Sequence, residues 1–74
     1  MIGKLKTLPA GKDYGFIESD KKEEYFFHRS EFSGFWQDLI DDFAKGDNIK
    51  LEFDEAKSTR GLRASSVKRL DHPN

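Results

Sequence analysis

The chain has no cysteine, which excludes disulfide scaffolds, zinc ribbons and thiol nucleophiles together. It has no apolar run near the length of a membrane span and no signal-peptide core, so a cytoplasmic protein without membrane contact is expected. Apolar residues are scarce: 35% against 36% charged, close to the balance at which chains stay disordered. At 74 residues there is room for one small domain with a modest core and no covalent staple. The formal net charge of −1 lacks the cationic excess of a protein that coats nucleic acid. Aromatic residues are what the chain does have, at 14% with seven phenylalanines, and they favour a folded domain.

The net charge averages unlike parts. Residues 1–12 carry Lys4, Lys6 and Lys12 without an acid, and residues 56–70 carry Lys57, Arg60, Arg63, Lys68 and Arg69 without an acid. The acids gather in between, around residues 18–24, 38–42 and 52–55. A local patch can steer a polyanion whatever the total.

Alternation predicts strands at residues 4–8, 14–19, 25–28, 48–54 and 62–70. Lys4 and Lys6 point outward with Leu5 inward; Ile49, Leu51 and Phe53 share an inner face, and Ala64 and Val67 point inward. Residues 55–61 read as a charged loop. Between the third and fourth strands, Phe35, Trp36, Leu39, Ile40 and Phe43 fall at helical spacing, with Ser33 as cap and Gly46 as terminator. Asp38, Asp41 and Asp42 take the opposite, solvated face, mostly too far from the helix start to gain much from its dipole. The expected fold is all-β: a five-stranded antiparallel OB-fold barrel over residues 1–70, with a short helix between strands three and four. Residues 71–74 read as a frayed tail, or as the start of a linker to a further domain.

A hairpin centred on Lys21 pairs Tyr14 with His28 and Phe16 with Phe26, and directly paired residues share a face. Ile17, Tyr25 and Phe27 then enter the core, while Tyr14, Phe16, Phe26 and His28 cluster outside. Two arrangements account for aromatic rings there: the helix covers them as a second core, or they stay open and stack bases. The open face is the expectation, with Lys4, Lys6, Lys12, Arg29 and Arg60 beside it for phosphates, because splayed single strands offer only π-faces and a charged backbone. Gly15, between Tyr14 and Phe16, fits a strand that bends or is closely approached.

Residues 12–17, Lys-Asp-Tyr-Gly-Phe-Ile, resemble the K-G-F-G-F-I motif of the cold-shock domain family, and residues 25–30, Tyr-Phe-Phe-His-Arg-Ser, resemble its V-F-V-H-x-S motif. Gly3-Lys4-Leu5-Lys6 is similar to the opening G-x-V-K, and residues 61–67 to the closing G-P-Q-A-x-N-V. The resemblance implies an OB barrel that binds single-stranded RNA or DNA, often as an RNA chaperone or antiterminator in the bacterial cytoplasm. Phe35 is the candidate for the phenylalanine that closes over the ligand in the family. Thr7 and Leu8 replace a tryptophan and a phenylalanine, Asp13 replaces a glycine, and Arg29 stands where an aromatic is common. Binding weaker than a typical member's, and modestly salt-sensitive, is the consequence. An alternative is a protein-interaction or self-association module that uses the aromatic face, Phe35 and Trp36.

Other chemistry finds little support. His28 and His72 lack a third ligand at suitable spacing, and the helix acids are ordinary surface residues. No glycine-rich phosphate loop or nucleophile–base pair is present, so neither an enzyme nor a cofactor is expected.

Overall fold

The computed structural model describes residues 1–70; the expected tail at 71–74 lies outside the described residues. Strands β1 (Ile2–Thr7), β2 (Tyr14–Ser19) and β3 (Glu24–His28) form a meander. A 3-10 turn (Arg29–Glu31), the two-residue strand β4 (Phe32–Ser33) and helix α1 (Trp36–Ala44) follow. The long hairpin of β5 (Lys50–Ser58) and β6 (Gly61–Arg69) completes the chain. The sheet order is β3-β2-β1-β5-β6-β4, and β3 also pairs with β6, so the five main strands close into a barrel.

The sheet is mixed, which corrects the antiparallel expectation. β1–β2, β2–β3, β1–β5 and β5–β6 are antiparallel, but Phe26 pairs with Arg63 in parallel, and β4 runs parallel to β6 through Phe32↔Val67 and Ser33↔Lys68. Closing an odd number of alternately directed strands leaves one pair pointing the same way, so a parallel seam is unavoidable.

Strand alternation builds the core. Leu5, Ile17, Tyr25, Phe27, Leu51, Phe53, Ala64 and Val67 are buried together with Ile49, and each large side chain removed from water contributes about 1.5–3 kcal/mol. Ala64 and Val67 are three residues apart, yet both point inward. Ser66, at φ 51°, forms a bulge that changes the pairing from Asp54↔Ser65 to Glu52↔Lys68. The Ser66 N–H, taken off the ladder, donates to Glu31 Oε1 at 3.3 Å. Gly15 is closely approached, as its position suggested: a Cβ there would lie 2.9 Å from Leu8 Cδ1 and 3.0 Å from the Thr7 carbonyl oxygen.

The charged stretch at 55–61 is mostly strand, contrary to expectation. Pairing continues out to Ser58↔Gly61, leaving only Thr59 and Arg60 as the turn. Ser58 Oγ accepts the Arg60 N–H at 3.3 Å and donates to the Gly61 carbonyl at 3.1 Å. A hairpin arm reaching beyond the core tolerates charge on both faces because its ladder, not burial, holds it.

Helix α1 starts later than expected. Ser33 belongs to β4 and pairs with Lys68 of β6, Gly34 turns the chain at φ 136°, and Phe35 takes the N-cap position without a side-chain hydrogen bond. Asp38 therefore falls in the first turn, where the helix dipole favours an acid by about 0.3–1 kcal/mol. Gly46, at φ 87°, closes the other end. Trp36 meets Phe27 edge-on at 5.8 Å and Phe32 at 5.9 Å, and Leu39 is fully buried. The helix thus packs on the core side of β3, where Phe27 points, and leaves the Phe26 side open. Asp42 is not solvated as expected; it pairs with Arg69 at 2.8 Å.

Candidate nucleic-acid interface

The β2–β3 hairpin has the register expected: Tyr14↔His28, Phe16↔Phe26 and Glu18↔Glu24. Buried Ser19 holds its turn, its Oγ accepting from the Lys21 and Glu23 amides at 3.2 and 3.3 Å, while Lys22 takes a positive φ of 65°. Fixed in this way, the outward residues of both strands share one surface.

Tyr14, Phe16 and Phe26 touch one another there. Ring centroids lie 5.5 Å apart for Tyr14 and Phe26, 5.9 Å for Phe16 and Phe26, and 6.0 Å for Tyr14 and Phe16. All three rings are half-buried. Mutual contact holds each ring in place while part of its surface stays in water.

His28, exposed at the end of β3, caps the following 3-10 turn. Its Nδ1 accepts the Ser30 N–H at 3.1 Å and lies 3.0 Å from Ser30 Oγ. A neutral ring therefore carries its proton on Nε2. Nδ1 is committed to a backbone donor, so the contact with Ser30 is a cap and not a nucleophile–base pair.

The cations around the rings are in unlike states. Lys6 Nζ lies 2.8 Å from Glu24 and 3.6 Å from Glu18, and the hydrogen bond to Glu24 raises its pKa above the ordinary lysine value. Arg29 lies 3.5 Å from Asp13, and its backbone N–H donates to the Asp13 carbonyl at 2.7 Å. Lys4 sits on β1, in register with Glu18 on one side and Lys50 on the other. Lys12 is exposed in the β1–β2 loop, and Arg60 in the β5–β6 turn. Arg60 lines a groove whose other walls include Phe16, Phe26, Leu62 and Arg63.

Phe35 is 74% exposed and borders a second shallow groove with Asp13, His28 and Arg29. Its neighbour Trp36 is only 6% exposed, so it offers no ring to the partner surface that the alternative reading gave it. The indole is core.

The sequence reading missed Arg63. Its guanidinium carbon lies 5.1 Å from the centre of the Phe26 ring. Alternation against Ala64 turns Arg63 outward, but only closure of β6 against β3 sets it beside Phe26. Thr7, where the family resemblance expects a tryptophan, is exposed and in register with Phe16. Among the described residues, no three metal-ligating side chains gather into a group, and no helix is long and apolar enough to cross a membrane.

A family model described as the 'Cold-shock' DNA-binding domain matches residues 1–70. The chain is also similar to cold shock-like protein CspC of Bacillus cereus, with 34% identity over 70 residues, 95% of this chain and 100% of the relative. CspC of a further strain of that species matches to the same extent.

Proposed function

The chain belongs to the cold-shock DNA-binding domain family, and from that premise we propose that it binds single-stranded RNA or DNA by stacking bases on Tyr14, Phe16, Phe26 and His28. The observation that carries this reading is the set of three mutually supported rings, all within 6.0 Å of one another, on a face that the helix leaves open. Stacking contributes about 1–3 kcal/mol per base and reads no hydrogen-bond code, so sequence preference is slight. Phe35, projecting beside His28, closes over a base at the end of the row. Lys4, Lys12 and Arg60 supply charge for phosphates, and Arg29 shares its own with Asp13. Weak, sequence-tolerant binding suits an RNA chaperone or a regulator of gene expression acting in the cytoplasm; the role is binding, without catalysis or cofactor.

Titration with oligothymidine at low and moderate salt tests this. Binding is expected at low salt, with a modest loss as salt rises. The double variant Phe16→Ala/Phe26→Ala is expected to abolish it. No binding by the wild-type chain at low salt, or unchanged affinity in the double variant, overturns the reading.

A further inference from the structure

The aromatic cluster has two unlike flanks. On the β1 flank, Lys6 is held by Glu24 at 2.8 Å and Glu18 at 3.6 Å, so one cation sits between two acids. Lys4, the next cation along that strand, is in register with the same Glu18. Lys6 is thus already engaged by two carboxylates, and a phosphate approaching from this side can claim it only by displacing one. The opposite flank is the β3–β6 seam, where Arg63 lies over Phe26 at 5.1 Å and Arg60 stands at the adjoining turn. Among the described residues, neither arginine has a carboxylate within 4.0 Å.

Resting on the function proposed above, we infer that a bound single strand runs its phosphates over the β3–β6 seam, on Arg60 and Arg63, and that Arg63 is a positioning residue coupling backbone to stacked base. A guanidinium can keep its plane on an aromatic ring while its edge N–H groups donate to a phosphate, which a lysine ammonium cannot do with the same geometry. Arg63 is thus placed to touch the Phe26 platform and a phosphate together. The groove between Phe16, Phe26 and Leu62 takes the base belonging to that phosphate. The near-neutral composition is reconciled with binding by sidedness: acids border one flank and unpaired arginines the other.

The test compares the salt dependence of oligothymidine affinity among four variants, each checked for a native unfolding transition. Arg63→Gln is expected to lower the slope of log affinity against log salt by about 0.7, with a loss of about three- to tenfold at low salt. Arg63→Lys is expected to keep the slope while losing part of the affinity. Arg60→Gln, in an exposed turn away from the barrel wall, is expected to lower the slope as well, so the inference stays testable if Arg63→Gln folds poorly. The charge-balanced Lys6→Gln/Glu24→Gln is expected to lose less slope than Arg63→Gln. The inference is overturned if Arg63→Gln and Arg60→Gln keep the wild-type slope, or if the Lys6/Glu24 variant loses as much slope as Arg63→Gln. A wild-type chain that fails to bind overturns instead the function on which the inference rests.

Discussion

The Arg69 guanidinium meets the Asp42 carboxylate at 2.8 Å, with the two side chains only 12% and 22% exposed, and so joins the end of β6 to the helix. Lys68, one residue earlier, makes the contrasting pair: it meets Glu52 at 3.2 Å across the β5–β6 ladder, but is 60% exposed. Arg69→Ala removes a shielded, charge-assisted bond together with the packing of its stem, and is expected to cost about 1–3 kcal/mol. Lys68→Ala is expected to cost less than about 1 kcal/mol. Urea midpoints measure both, and equal losses would contradict the assignment.

Phe35 and Trp36 are adjacent in sequence and opposite in role. Trp36→Ala opens a hole against Phe27 and Phe32 and is expected to destabilise the fold by about 3–5 kcal/mol. Phe35→Ala, at a 74% exposed position, is expected to leave stability within about 0.5 kcal/mol. Its effect belongs in the oligothymidine titration, as weaker binding. A Phe35 variant that unfolds easily yet binds normally would reverse the roles.

Thr7 stands in register with Phe16 and is exposed, so a large ring there extends the row of platforms. Thr7→Trp is expected to tighten oligothymidine binding by about tenfold, the lower part of the range for one stacked base. The added indole is solvent-exposed where Trp36 is buried, so its fluorescence should respond to ligand. Unchanged affinity would mean that the stacking surface ends at β2.

Burial pushes the Tyr25 phenol above its ordinary value of 10.0, and the nearby carboxylates of Glu23 and Glu55 add to the shift. Lys6 is raised from 10.5 chiefly by its hydrogen bond to Glu24. In both cases the unfolded chain gives up its proton first. The stabilisation is therefore complete below about pH 10 and is lost as the pH climbs through the folded-state values. Urea unfolding followed from about pH 8 to about pH 12, across the usual phenol and ammonium range, should show stability falling only at the alkaline end. In a Tyr14→Phe background the remaining phenol should ionise later than a free tyrosine. Ionisation at the ordinary value would refute the shift.

Local pattern carried much of this fold. Alternation around Lys21 placed four aromatic side chains on one face and Ile17, Tyr25 and Phe27 beneath it, and the structure keeps that register pair by pair. Features that depend on closure were not legible in the same way. Arg63 is an ordinary outward residue until β6 meets β3, and Asp42 an ordinary helix acid until Arg69 arrives from the other end of the chain. The parallel seam could have been deduced by counting strand directions around a five-membered ring. The Ser66 bulge was implied by placing both Ala64 and Val67 inside, three residues apart, which an unbroken strand cannot do. Composition misled at 55–61, where charge suggested a loop and the hairpin simply continued.

The seam also bears on motion. β3 and β6 meet at one rung, Phe26 with Arg63, whereas β2 and β3 are paired along their length. A cylinder clasped at one rung opens there at lower cost than elsewhere, so amide protons along the facing edges of β3 and β6 should exchange with solvent before those between β2 and β3. A polymer lying across the clasp fastens it, and binding should then slow exchange at a place where no new protein hydrogen bond has formed.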